Sequence, residues 1–249
     1  MKLATYKSAD SRDGRLVVVS RDLARAVDAG GVVPTLQAAL DRWDAVAPRL
    51  AALSDALNVG EMDDTFPFDQ AQAESPLPRA CQWLDGSSYL AHGRLLDRAF
   101  NIPPIPQADV IPIMYQGGSD DFLPPQGEAP FVSDEDGIDF EAEFAIVVGD
   151  VPMGVDEAAA RDAVRLVMLA NDWSLRAGTI IGFGTTSEGQ PEKVGSACIT
   201  ERRGYGIIQE GAPKTAFMKF GDTVSIEVLG ADGRSVFGRI DQRVVPASV

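Results

Sequence analysis

The sequence is short of cysteine, of histidine and of positive charge, and each shortage narrows what the chain can do. Cys81 and Cys198 are the only cysteines; they lie far apart and neither belongs to a CxxC spacing. That argues against a disulfide framework or a cysteine-based zinc site. Both are expected to be small apolar residues of the core, in a reducing, cytoplasmic setting. Lysine and arginine total 22 against 37 aspartates and glutamates, a formal net charge of -15. Phosphates would be repelled, which excludes a general binder of nucleic acid or of an anionic membrane. No apolar run approaches a bilayer span; stretches such as Leu166 to Ala170 suit buried strands. The opening MKLATYKSADSRDGR lacks the apolar core of a signal peptide. GTIIGFGTTS, from residue 178, lacks the third glycine and following helix of a dinucleotide loop, and no Walker-type lysine follows. No repeat or low-complexity tract is present.

What remains is an ordinary globular composition. The 249 residues, 45% apolar and 24% charged, suffice for one large domain or a domain with a smaller appendage. Met1–Lys7 and Arg15–Ser20 read as a hairpin around Ser-Arg-Asp-Gly. Helical spacing follows near Leu36–Trp43 and Ala45–Leu57, then an acidic, proline-punctuated stretch from Gly60 to Arg79. A helix is expected over Gly86–Phe100, with Asp85 as its N-cap. Another starts at Asp156 and Glu157 and ends near Arg165, giving way to a strand over Leu166–Ser174. Thr223–Leu229 and Ser235–Val245, separated by Ala-Asp-Gly, read as a hairpin. The pattern predicts a β-rich α+β protein rather than an alternating parallel fold.

One strand carries an oddity. In GIDFEAEFAIVVGD, residues 137 to 150, period-two alternation puts Glu141, Glu143, Ala145 and Val147 on one face. Phe140, Ala142, Phe144, Ile146 and Val148 lie on the other, which predicts a strand covered on both sides. Paired carboxylates there repel each other unless a cation sits between them. Alternatively the strand begins in solvent and only its second half is buried. Asp85 and Asp172 also stand in apolar settings and are oxygen donors of the type hard cations take. On the expected helix, Asp85, Tyr89 and His92 would share a face. His92, the sole histidine, is read either as a satisfied core residue or as a general base.

Taken in order, these motifs resemble the fumarylacetoacetate hydrolase family from about Pro78 to the end. WLDGSSYLAH is similar to its segment with an aspartate seven residues before a histidine, PIMYQGG to its tyrosine loop, and DFEAEFAIVVG to its Glu-x-Glu strand. LANDWSLR is similar to its Asn-Asp strand, AGTIIG to its Gly-Thr loop, and FMKFGDTVSIEV to the end of its core. The resemblance implies a small N-terminal domain (1–75) and a mixed β-sandwich/β-roll catalytic core (76–249). It implies that Asp85, Glu141, Glu143 and Asp172 hold Mg2+ or Ca2+, with Mn2+ as a further choice. His92 would be the base, Glu201 its orienting acid, and Tyr115, Gly178 and Thr179 substrate contacts. The implied reaction is cleavage of a carbon–carbon bond in a 1,3-diketo acid, first fumarylacetoacetate in tyrosine and phenylalanine breakdown, by a cytoplasmic homodimer. Acylpyruvate hydrolase, oxaloacetate decarboxylase and 2-oxo-4-pentenoate hydratase activities share that metal core. The Asp-Tyr-His spacing of the resemblance favours fumarylacetoacetate over these.

The resemblance breaks at one place. Family members carry a long, lysine-bearing segment between the Asn-Asp strand and the Gly-Thr loop, whereas Asp172 and Gly178 are six positions apart. Because both flanking motifs are intact, a stretch missing from the sequence as written is the favoured expectation. A protein that truly lacks it would be a non-catalytic metal-binding homologue.

Overall fold

In the computed structural model, which describes residues 1–175 and 186–248, the chain opens on the expected hairpin. β1 (Lys2–Tyr6) and β2 (Arg15–Val19) pair antiparallel, Lys2 opposite Val19 and Tyr6 opposite Arg15. The turn needs Gly14, at φ +65°, because a Cβ there would stand 2.5 Å from the Tyr6 carbonyl oxygen. β3 (Arg25–Asp28) follows, then α1 (Leu36–Leu40), whose Thr35 N-cap accepts from the Ala38 N–H at 3.1 Å. After α2 (Trp43–Val59), β4 (Phe66–Pro67) completes a sheet in sequential order. The apolar run LVVV of β2 feeds two cores at once. Leu16 and Val18 pack with Leu36, Val46, Leu50 and Leu57 beneath the helices, while Val17 and Val19 pack with Tyr6, Ala26 and Ala73. Leu16, Leu50 and Leu57 are fully buried, each stabilising by about 1.5–3 kcal/mol relative to exposure.

Beyond this module come β5 (Leu84–Gly86), α3 (Leu90–Phe100) and β6 (Met114–Gln116), which pairs back onto β5. Next are β7 (Gln126–Phe131), β8 (Ile138–Asp139), β9 (Ala142–Val148) and the short α4 (Glu157–Asp162). β10 (Val164–Asn171) returns antiparallel to β9, and β11 (Ser174–Leu175) antiparallel to β8. α5 (Pro191–Val194) and α6 (Ile199–Glu210) precede β12 (Thr223–Leu229) and β13 (Ser235–Pro246). β12 and β13 form the C-terminal hairpin, and β13 also pairs in parallel with β7. Ile138, Met218, Val224, Ile226, Ile240 and Val244 make a third core, flanked by Phe131 and Trp173. The architecture is α+β and β-rich, with mixed strand pairing.

Several expectations change. Asp85 does not cap or enter a helix: it lies in β5 opposite Tyr115, and α3 begins only at Leu90. Asp85, Tyr89 and His92 therefore do not share a helical face. For the Glu-x-Glu strand, the solvent-exposed start and the cover on both sides are overturned, while the buried carboxylate pair stands. Its start is the buried part, with Glu141 2% and Glu143 4% exposed, while Phe144, Ile146 and Val148 on the other face are 47%, 58% and 44% exposed. Cys198 is buried as expected but Cys81 is exposed. Finally, α2 runs to Val59 and the strand taken to end at Ser174 breaks after Asn171.

Candidate metal and acid–base site

The antiparallel register of β9 and β10 places Ala170 opposite Glu143 and Asn171 opposite Ala142. The Asp172 N–H extends it by donating to the Glu141 carbonyl at 3.0 Å. Directly opposed residues share a face, so Glu141, Glu143 and Asp172 lie on one side of the ribbon. Asp85, 4% exposed, joins them from β5. Glu143 registers the company it keeps. Burial, and then the charges of Asp85, Asp172 and Glu141, push its carboxyl from 4.5 up to about 9. The Tyr115 hydroxyl donates to Asp172 Oδ2 at 3.1 Å. Burial and the same carboxylates hold that phenol protonated, well above its ordinary range.

This donor set suits a hard divalent cation, which takes carboxylate oxygens from separate elements. Glu143 Oε1 is buried with no hydrogen-bond partner among the described residues, a costly arrangement that a cation would relieve. Glu141 Oε1 accepts from the Ser174 hydroxyl at 3.2 Å. Among the described residues no three His, Cys, Asp or Glu side chains are drawn into a formed coordination group. By their chemistry the residues fit a hard cation.

A second constellation sits between helices. α3 buries His92, Leu95 and Leu96, and α6 crosses it at Gly204, where a Cβ would meet Ala99 Cβ at 3.4 Å and Leu95 Cγ at 3.5 Å. The close approach brings His92 Nδ1 to 3.6 Å from Glu201 Oε1, with side-chain exposures of 0% and 2%. Glu201 also accepts from the Ser187 hydroxyl and, at 3.3 Å, from the Ala197 N–H. Asp139, fully buried, anchors the N-terminus of this helix. Its carboxylate accepts from the Ile199 N–H at 2.8 Å and from the Thr200 N–H and hydroxyl at 2.7 Å each. Sequence reasoning missed Asp139. The available signal was an acid between Ile138 and Phe140, two positions before Glu141 on the same face. Strand and helix are tied again by the Glu141–Cys198 bridge and the Ala142 N–H donating to Ala197 O at 3.0 Å. The substrate residues Gly178 and Thr179 lie outside the described residues, as does the junction where the resemblance breaks.

Comparison with known proteins now decides the family. The model for fumarylacetoacetase N-terminal domain 2 matches residues 1–79, and that for the fumarylacetoacetate hydrolase C-terminal domain matches residues 81–177. The chain belongs to the fumarylacetoacetate hydrolase family. The family match contains Asp85, His92, Tyr115, Glu141, Glu143 and Asp172; Glu201 lies beyond it. Solved structures share the fold. One is a protein described as HpcE from Mycobacterium smegmatis, 15% identical with a TM-score of 0.58. Another is maleylpyruvate hydrolase from Sphingobium sp. SYK-6, in complex with manganese(II) and pyruvate, 16% identical with a TM-score of 0.51. Each likeness covers 100% of both chains. No curated protein matches the chain. Among the described residues, no helix is long and apolar enough to cross a membrane.

Proposed function

We propose that this family member is a divalent-metal-dependent hydrolase that cleaves a carbon–carbon bond in a 1,3-diketo acid. The observation that carries the reading is the face where buried Asp85, Glu141 and Glu143 meet half-buried Asp172; burial first, and then the neighbouring carboxylates, push the Glu143 carboxyl up. A maleylpyruvate hydrolase of the same fold holds manganese(II) and pyruvate, which supports a divalent cation; Mg2+ or Ca2+ are our candidates beside it. Bound there, the cation would supply positive charge for the two oxo groups and for the charge that develops on the departing carbon.

The protein's own groups do the proton work. His92 takes a proton from water as the water oxygen bonds to one carbonyl carbon. Glu201 holds the other side of the imidazole and balances its charge. The carbon–carbon bond then breaks, its electron pair goes to the carbon beside the second carbonyl, and that carbon accepts the proton. Tyr115, kept as a phenol, donates a hydrogen bond at the rim. Gly178 and Thr179 would complete the substrate contacts.

Fumarylacetoacetate is the substrate we favour, from the Asp-Tyr-His spacing. An acylpyruvate such as maleylpyruvate is the second reading, favoured by the fold likeness. We further infer a cytoplasmic homodimer. The apolar face of Phe144, Ile146 and Val167, 47%, 58% and 52% exposed, supports an interface. Ultraviolet absorbance of each substrate, followed with protein and Mg2+ or Mn2+, tests the activity. Loss of one signal identifies the substrate. Saturable metal binding without loss of either would turn the reading toward the non-catalytic homologue, which a genuine lack of the lysine segment would support.

A further inference from the structure

One buried amide stands behind the carboxylate face. Gln242 of β13 is 5% exposed. Its Oε1 accepts from Asn171 Nδ2 and from Trp173 Nε1, both at 2.9 Å. Its Nε2 donates to the Pro124 carbonyl at 2.9 Å. Asn171 Oδ1 in turn accepts the Glu141 N–H at 3.2 Å. Asn171 and Trp173 are the neighbours of Asp172 on either side. Gln242 thus holds both flanks of Asp172 and, through Asn171, the backbone of Glu141.

This grip falls where the ladder gives out. β10 ends at Asn171 and β11 starts at Ser174, so Asp172 lies in the interruption, its N–H donating to the Glu141 carbonyl. Glu141 and Asp172 repel each other, and every carboxylate added nearby would worsen that. A neutral amide can accept from two sides and donate on a third without adding charge. Glutamate would add charge and lose the donor; a longer basic chain could not accept.

We propose that Gln242 is a positioning residue for the cation site, setting the spacing of Asp172 and Glu141 and so the affinity for a divalent ion. The inference rests on the reading that these carboxylates hold a cation. The probe is Mn2+ alone, titrated calorimetrically into the intact chain, with circular dichroism and urea unfolding as folding controls. Gln242→Met fills similar volume without the three hydrogen bonds, and Mn2+ binding should weaken by about 10- to 100-fold. Gln70→Met is the control. It removes two hydrogen bonds to Arg239 of the same strand, at 2.9 and 3.1 Å, away from the carboxylates, and should leave Mn2+ affinity unchanged. Should Gln242→Met fail to fold, Trp173→Phe removes one donor to the same oxygen, and a loss of about two- to tenfold is expected. Wild-type affinity in a folded Gln242→Met, or in Trp173→Phe where it stands in, overturns the inference. A wild-type chain that binds no Mn2+ overturns the cation reading itself, and the inference with it.

Discussion

Asp139 and Thr200, 61 positions apart, are joined by two hydrogen bonds to one oxygen: the threonine's N–H and hydroxyl both donate to Asp139 Oδ2 at 2.7 Å. The next residue is Glu201, so the strand of carboxylates and the histidine's partner share an anchor. Asp139→Ala leaves buried donors at the start of α6 unsatisfied. The expected destabilisation is about 2–3 kcal/mol, measured by urea unfolding, and a change below about 0.5 kcal/mol would contradict it.

The Glu143 carboxyl makes stability depend on pH. Between its ordinary value of 4.5 and about 9, the folded, cation-free chain holds a proton that the unfolded chain has released. Stability must therefore fall as pH rises through that window. Thermal unfolding in chelator should show the fall, and Glu143→Gln should flatten it. A cation that recruits Glu143 near neutral pH must displace its proton, so the binding enthalpy should vary with the ionisation heat of the buffer.

His92 carries the proton step in our mechanism. His92→Ala should lower turnover by about 10²- to 10⁴-fold while leaving Mn2+ binding intact. Glu201→Gln keeps a hydrogen-bonding group but not the charge, and its loss should be smaller. Unchanged turnover in His92→Ala would remove this residue from the reaction.

Gly204 decides how close α3 and α6 can come. A single methyl would make ordinary contact, 3.4 Å from Ala99 Cβ, so Gly204→Ala should fold normally. Gly204→Leu must overfill the crossing and should cost about 1–3 kcal/mol. Because the crossing sets the His92–Glu201 distance, turnover should fall further than the residual folded fraction accounts for. Equal stability of both variants would show that the crossing is looser than described.

Much of the fold is legible in local chemistry. The turn at Asp13-Gly14 and the tight Ala-Asp-Gly connection place two hairpins within a residue or two of their observed ends. Asp156 caps α4 as its position implies, accepting from the Ala159 N–H at 2.9 Å. The same-face relation of Glu141 and Glu143 follows from the period of two, which requires nothing beyond the strand itself. The misplacement of Asp85 has a long-range origin. Asp85 reads as a helix cap until Tyr115, far along the chain, pairs with it and draws it into a strand.

By itself, then, the sequence determined the short-range turns and caps and the alternation that puts Glu141 and Glu143 on one face, because each depends on residues a few positions apart. Only the tertiary structure decided that the strand's carboxylate end is its buried end. It alone brought Glu201 to His92 across the Gly204 crossing, and made Asp139 and Gln242 the anchors of the two halves. Those outcomes depend on pairings such as Asn171 with Gln242, 71 positions apart, which local periodicity does not encode.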